Sequence, residues 1–208
     1  MDLTTYSGLQ SAVADFLNRT DLTSQIPGFI ALAEAKFNRD ERLRCRQAIV
    51  RAQANLGSQF ETLPADYAEM WNLQLNTQPL TVMEYVPPQV ADQWKARHWA
   101  PSKPTKFTVV GNTMELVPPP DTTYSAEMMY FGKLPVLSDS NTTNWLLQLA
   151  PDAYLYGALM ESAPYLRDDD RLSMWAASLN SILDQIRVND QRATYNAGPI
   201  MMRAKTFG

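Results

Sequence analysis

The chain has 208 residues, 45% hydrophobic and 19% charged, a globular balance with room for one large domain or two small ones. Its net charge of −4 argues against a sequence-independent DNA clamp, because affinity for the duplex comes largely from lysine and arginine neutralising phosphates. So low a charge content favours burying surface against other subunits. Cys45 and His98 are the single cysteine and histidine, so no intrachain disulfide forms. The start, Met1-Asp2-Leu3-Thr4, lacks the basic residues and apolar run of a signal peptide, and no stretch is apolar enough to span a bilayer. The expectation is a protein made in reducing cytoplasm, with no membrane partner.

Residues 5–18 predict a short amphipathic helix with Leu9, Ala12, Val13, Phe16 and Leu17 on one face. Asp21 reads as the N-cap of a second helix running to about Arg44, with Ile26, Phe29, Ile30, Ala33 and Phe37 buried and Pro27 tolerated in the first turns. Between about residues 46 and 132 the period changes to two, and prolines and glycines punctuate. Segments 46–55, 68–76 and 79–86 predict strands, with Leu63-Pro64-Ala65-Asp66 as a turn. Lys106–Val110 and Thr113–Val117 flank Gly111-Asn112, a hairpin turn of type II′ or I′, and Pro118-Pro119-Pro120 ends it. Thr123–Phe131 is a further strand with Tyr124, Ala126, Met128 and Tyr130 on one face, and Pro87-Pro88 opens a short helix over 87–98.

The last third returns to helix. Asn144–Leu149 is a short apolar stretch, and Pro151 starts a helix that Pro164 ends, burying Leu155, Leu159, Tyr154 and Tyr156. A long helix from near Asp168 to Arg192 carries the stripe Leu172, Trp175, Ala176, Leu179, Ile182, Leu183 and Ile186, and would be about 35–40 Å long. The pattern predicts an α+β fold: terminal helices packed as a bundle, a central antiparallel β subdomain, and an extended C-terminal tail. The expected boundaries are 1–45 with 133–194 for the helical domain, 46–132 for the inserted β subdomain, and 195–208 for the tail.

No catalytic, metal or cofactor site stands out. His98 would have to serve any Ser-His-Asp or Cys-His arrangement alone, and the nearby Ser102 and Thr105 lack an elbow motif; it reads as a helix C-terminal or exposed residue. Cys45 lies among arginines that would lower a thiol's pKa, but it reads as a small packed residue. Asp168-Asp169-Asp170 reads as dipole-stabilising charge at a helix start, because no glycine-containing calcium loop follows. No glycine loop of nucleotide-binding spacing appears, and no carboxylate pair is marked out for glycosidase chemistry.

Two features point to binding. Arg39, Arg42, Arg44, Arg46 and Arg51 form the densest basic run, read as inter-subunit or DNA-facing, or as cations paired with carboxylates beside a helix end. The tail from Tyr195 combines Pro199, Ile200, Met201, Met202, Arg203, Lys205 and Phe207 with no acidic residue. Large apolar groups on a terminus are a liability unless something buries them, either the same domain or a partner.

Three stretches carry a resemblance: Thr143-Asn144-Trp145-Leu146-Leu147; Ala150-Pro151-Asp152-Ala153-Tyr154-Leu155-Tyr156-Gly157-Ala158-Leu159; and Ala163-Pro164-Tyr165-Leu166-Arg167-Asp168-Asp169. Together with Ala14-Asp15-Phe16-Leu17-Asn18-Arg19, Ile26-Pro27-Gly28-Phe29-Ile30 and Leu63-Pro64-Ala65-Asp66-Tyr67, they resemble the head-to-tail adaptor (connector) proteins of tailed bacteriophages, short-tailed phages above all. The resemblance implies a non-enzymatic virion protein at the head-tail junction: a ring, commonly of twelve copies, below the portal protein. Such a ring extends the DNA channel, docks tail or nozzle proteins, and passes genomic DNA without sequence-specific binding. It also implies a C-terminal segment that reaches the portal or a neighbouring subunit. Two other classes stay open: a tail-associated cell-wall hydrolase with paired carboxylates, and a binding module that forms no ring.

Overall fold

Thr5 opens the first helix by accepting a hydrogen bond from the Gly8 amide at 3.3 Å, and Asn18 closes it in the left-handed region at φ +52°. In the computed structural model, which describes residues 3–19, 21–97, 100–166 and 170–195, this helix is α1, Tyr6–Leu17. There follow α2 (Ile26–Phe37), strands β1 (Ile49–Leu56), β2 (Phe60–Thr62), β3 (Tyr67–Leu75), β4 (Thr81–Val82) and β5 (Glu84–Tyr85), then α3 (Pro88–Arg97). The hairpin β6 (Lys106–Val110) and β7 (Thr113–Val117), strand β8 (Tyr124–Gly132) and helices α4 (Trp145–Leu149), α5 (Pro151–Glu161) and α6 (Arg171–Tyr195) complete the order. The fold is α+β, as the change of period along the sequence predicts. Among the described residues the chain forms two compact units, one from the chain up to Gln47 and from Leu134 onward, the other Ala48–Lys133.

The helical unit is built around α5, which packs against α1, α2, α4 and α6. Ala153, Tyr154, Leu155, Gly157, Ala158 and Leu159 are all buried, so α5 is apolar on nearly every side, as a central helix must be. Gly157 has a packing reason: a Cβ there would stand 2.7 Å from the Phe37 ring and 3.3 Å from the Ala33 Cβ. Side-chain bulk at that position would push α2 away.

A buried polar network fixes the segment that returns to this unit at Leu134. Glu34, only 3% exposed, accepts at Oε1 from the Tyr154 hydroxyl at 3.0 Å and from the Leu137 amide at 2.9 Å. Asn144 donates to the Tyr154 oxygen at 2.6 Å and to the Pro135 carbonyl at 2.8 Å, while its Oδ1 caps α4 through the Leu147 amide. The Asn38 Oδ1 holds the Leu134 amide at 2.7 Å. Burial raises the Glu34 carboxyl above its ordinary value, opposed by the two donated hydrogen bonds, and burial likewise drives the Tyr154 hydroxyl far up.

The second unit holds two four-stranded sheets, ordered β1-β8-β3-β4 and β2-β7-β6-β5. All pairings are antiparallel except β5 with β6. Residues from both sheets share one core, including Leu56, Leu73, Phe107, Leu116, Ala126 and Met128. In the β6–β7 hairpin Gly111 has φ +61° while Asn112 does not enter the positive region, the II′ pattern rather than I′. Helix α3 packs on β6 and β7.

Several sequence expectations change in detail. Phe16 is 41% exposed rather than on the buried face of α1. Asp21 pairs with Arg19 instead of capping α2, whose N-cap is Gln25 with no side-chain bond. Helix α2 ends at Phe37, not near Arg44, because Asp40 turns extended and caps a short 3-10 turn, Glu41–Leu43, by accepting from the Arg42 amide. The first strand starts at Ile49, after a 3-10 turn at Arg46–Ala48. The segment 79–86 is two strands of two residues each, in different sheets on either side of Met83, and β2 was not foreseen. Tyr156 is half-buried. In α6 only Trp175, Leu183 and Ile186 of the apolar stripe are fully buried, with the other four half-buried.

Two outcomes follow from the Glu34 network. Replacing Glu34 with Ala leaves the Leu137 amide and the Tyr154 hydroxyl without their acceptor, and is expected to cost about 1–3 kcal/mol in urea denaturation. Because the folded carboxyl titrates above its unfolded value near 4.5, its stabilising share is complete below that pH and is lost as pH rises through the folded value. Glu34→Gln, which does not titrate, should therefore flatten stability against pH above about 4.5; an unchanged slope would contradict the assignment.

Candidate assembly surfaces

The basic run is divided by its environment. Arg42, on the short turn after α2, grips Asp40 with its fork, Nε to Oδ1 at 3.0 Å and Nη2 to Oδ2 at 2.6 Å. Its Nη1 donates to the Asn180 Oδ1 at 3.1 Å and stands 3.6 Å from Asp184, both on α6. Burial pulls the Asp40 carboxyl upward, but Arg42 outweighs it and holds the group below the ordinary carboxylate range. Arg46 engages Asp190 through both its amide, at 3.1 Å, and its Nε, at 2.9 Å. Asp184 and Asp190 are six residues apart, about 9 Å along the helix, so the two arginines fasten residues 40–46 lengthwise against α6.

The others differ. Arg44 donates to the Asn38 carbonyl at 3.3 Å, and Arg39 is exposed. Arg51 belongs to the other unit, on β1, where its exposed side chain lies 3.7 Å from Glu127 and 3.6 Å from the Met129 sulfur on β8. Tyr195 is the last residue of α6. Pro199, Ile200, Met201, Met202, Arg203, Lys205 and Phe207 lie outside the described residues, as do His98, Asp168 and Asp169. Cys45 is buried and forms no disulfide, matching its reading as a packed residue.

Sequence reasoning did not anticipate two concave surfaces. In the helical unit a groove of about 240 Å³ runs between α6 and the α4–α5 corner, lined by Arg46, Leu149, Asp152, Ile182, Gln185 and Asp190. In the β unit a cleft of about 820 Å³ is lined by Tyr67, Met70, Trp71, Tyr85, Phe107 and Val109 among others. Trp71 and Tyr85 are 58% and 55% exposed, although each ring stacks edge-on against a buried phenylalanine. Leu32, Tyr165 and Met174 add exposed apolar area on the helical unit. These exposed groups are the candidate contact surfaces of the two units. Among the described residues no cluster of His, Cys, Asp or Glu is arranged to hold a metal ion, and no helix is long and apolar enough to cross a membrane.

Arg42→Ala should lower the stability of the chain by about 1–2 kcal/mol, since it breaks a partly buried charge-assisted fork. Arg39→Ala should change it by less than about 0.5 kcal/mol. Urea midpoints of the two variants test the contrast, and equal effects would mean that the fork carries no special weight.

No curated protein matches the chain. The family model described as SU10 adaptor protein matches residues 4–203, which takes in both units and nearly the whole sequence. Asn144-Trp145-Leu146-Leu147 and residues 151–159, which carry the adaptor resemblance, form the capped α4 and the central α5. This chain belongs to the SU10 adaptor protein family, a family of structural phage adaptors.

Proposed function

We propose that the protein is a non-enzymatic subunit of a head-to-tail adaptor ring in a tailed-phage virion, seated below the portal protein. The observation that carries this reading is the family match over residues 4–203, which leaves neither unit outside the adaptor. The exposed apolar surfaces on both units support it, because a subunit with neighbours on several sides needs contact area that a monomer does not. In this reading identical heterologous contacts repeat around the ring and close at twelve copies. The ring extends the DNA channel from the portal and offers its far face to tail or nozzle proteins.

Charge supports the passage of DNA. With a net charge of −4 per copy, the assembled ring is acidic, and lumen carboxylates repel the phosphate backbone instead of holding it. Arg42 and Arg46 do not oppose this, since both are paired with carboxylates of their own chain. In this reading the basic run serves ring geometry rather than phosphate binding. The tail from Tyr195 then supplies contact with the portal or with a neighbouring copy.

Negative-stain microscopy and mass photometry of the protein, alone and with its cognate portal, test the reading. Monomers alone and twelve-fold rings on the portal are expected; monomers in both samples would sink it. Removing residues 195–208 should weaken the portal complex severalfold without altering the circular dichroism of the folded units, and an undiminished complex would assign the tail another role.

A further inference from the structure

The β unit lacks a strand where one would fit. Strand β3 pairs with β8 along Tyr67–Leu75, but on its other side β4 covers only Gln74 and Leu75, with one more bond from the Met83 amide to the Leu73 carbonyl. Likewise β5 covers β6 only opposite Lys106 and Phe107, with the Val86 amide reaching the Phe107 carbonyl. Residues 81–85 thus join the two sheets at one end by stepping from one to the other at Met83. Beyond that stitch, among the described residues, no strand flanks Tyr67–Asn72 on the side away from β8 or Thr108–Val110 on the side away from β7, and both segments border the cleft of about 820 Å³.

A strand edge left open beside exposed aromatic side chains is a template for strand addition. The open stretch of β3 is about 20 Å long, enough for five or six residues. Its bulges, between Tyr67 and Glu69 and between Met70 and Asn72, turn Trp71 outward at the rim.

The tail has the pattern such a slot requires. In an extended segment from Ile200 to Phe207, Ile200, Met202, Ala204 and Thr206 fall on one side and Met201, Arg203, Lys205 and Phe207 on the other. The first side, apolar except for Thr206, would face Met70, Phe107 and Val109; the second carries the two cations between Met201 and Phe207. The segment has no acidic residue and no proline after Pro199, so it can donate along its whole length. The 13 residues after Tyr195 span up to about 45 Å when extended, so the segment reaches well beyond the end of α6.

We propose that residues 200–206 of one copy add as a strand to the open edge of β3 in the cleft of a second copy. A strand given by each subunit to the next is a heterologous contact, the kind that closes a ring. The proposal rests on the ring reading for the identity of the occupant and chooses a neighbouring copy over the portal as the seat of the tail.

Cysteine cross-linking of the full chain tests it. One tagged version carries Ala68→Cys at the β3 edge; a second, with a different tag, carries cysteine at each position from Ile200 to Thr206 in turn. The two are mixed with the cognate portal and oxidised, and disulfides between the tags are measured. Ala68 is a half-buried small residue, and Cys45 is buried in every copy, so neither the fold nor the background is disturbed. Links between tags are expected, with yields severalfold higher at every second position, the signature of a strand. No links, or yields without alternation, overturn the proposal. Microscopy of the same samples reads the ring separately: rings without links sink the strand and spare the ring, and links without rings do the reverse.

Discussion

Glu34 is a carboxylate taken out of water and held by neutral donors, and the arrangement of the helical unit depends on it. Burying such a group is costly unless its oxygens accept hydrogen bonds, and here one oxygen takes two, from a side chain on α5 and from the backbone of the returning segment. Asn144 extends the network by donating to the Tyr154 oxygen, so the same tyrosine is acceptor and donor at once. One connected set of polar groups therefore specifies where α2, α5, the segment 134–144 and the start of α4 meet. Hydrophobic packing alone would tolerate sliding between these elements; a satisfied polar network tolerates far less.

The consequence extends to both crossings between the units. The chain leaves the helical unit through residues 39–47 and returns at Leu134. On the way out, Arg42 and Arg46 fasten it to α6; on the way back, Asn38 and Glu34 fasten it to α2. The two anchors differ in kind. The outgoing one is made of ion pairs, of which the Arg46–Asp190 pair is half in solvent and contributes little, while the Arg42 fork is better shielded. The returning one is buried and made of hydrogen bonds. Of the two, the return is the firmer.

Legibility in the sequence followed the length of each pattern. The helices were readable because a stripe of buried residues repeats over three or more turns, and the β6–β7 hairpin because Gly111-Asn112 sits between two alternating runs. The step at Met83 was not readable, since strands of two residues are shorter than any period that could announce them. The end of α2 was misplaced because the apolar and basic residues after Phe37 continue a helical spacing, and only the Asp40 carboxylate, bonding its own local backbone and Arg42, breaks it. The concave surface of the β unit was hidden for a related reason. A bulge shifts the alternation of β3 by one residue, and sequence alternation alone does not say that Trp71 is turned to solvent.

An open strand edge is a hazard for a protein that stays alone, and soluble proteins blunt such edges with charge, proline or a covering element. Here two bulges and the charges of Glu69 and Lys133 interrupt the edge, while tyrosine, methionine and tryptophan also border the cleft. Under the proposed strand exchange this edge is occupied once subunits assemble. The proposed exchange would also give assembly an order. Main-chain hydrogen bonds to a strand form only when the donor segment is presented nearby, and a ring held on a template raises that local concentration far above what free subunits reach. In the proposed ring such a contact is weak between free subunits and strong once they are held together, which would keep subunits from polymerising before they have a place to dock.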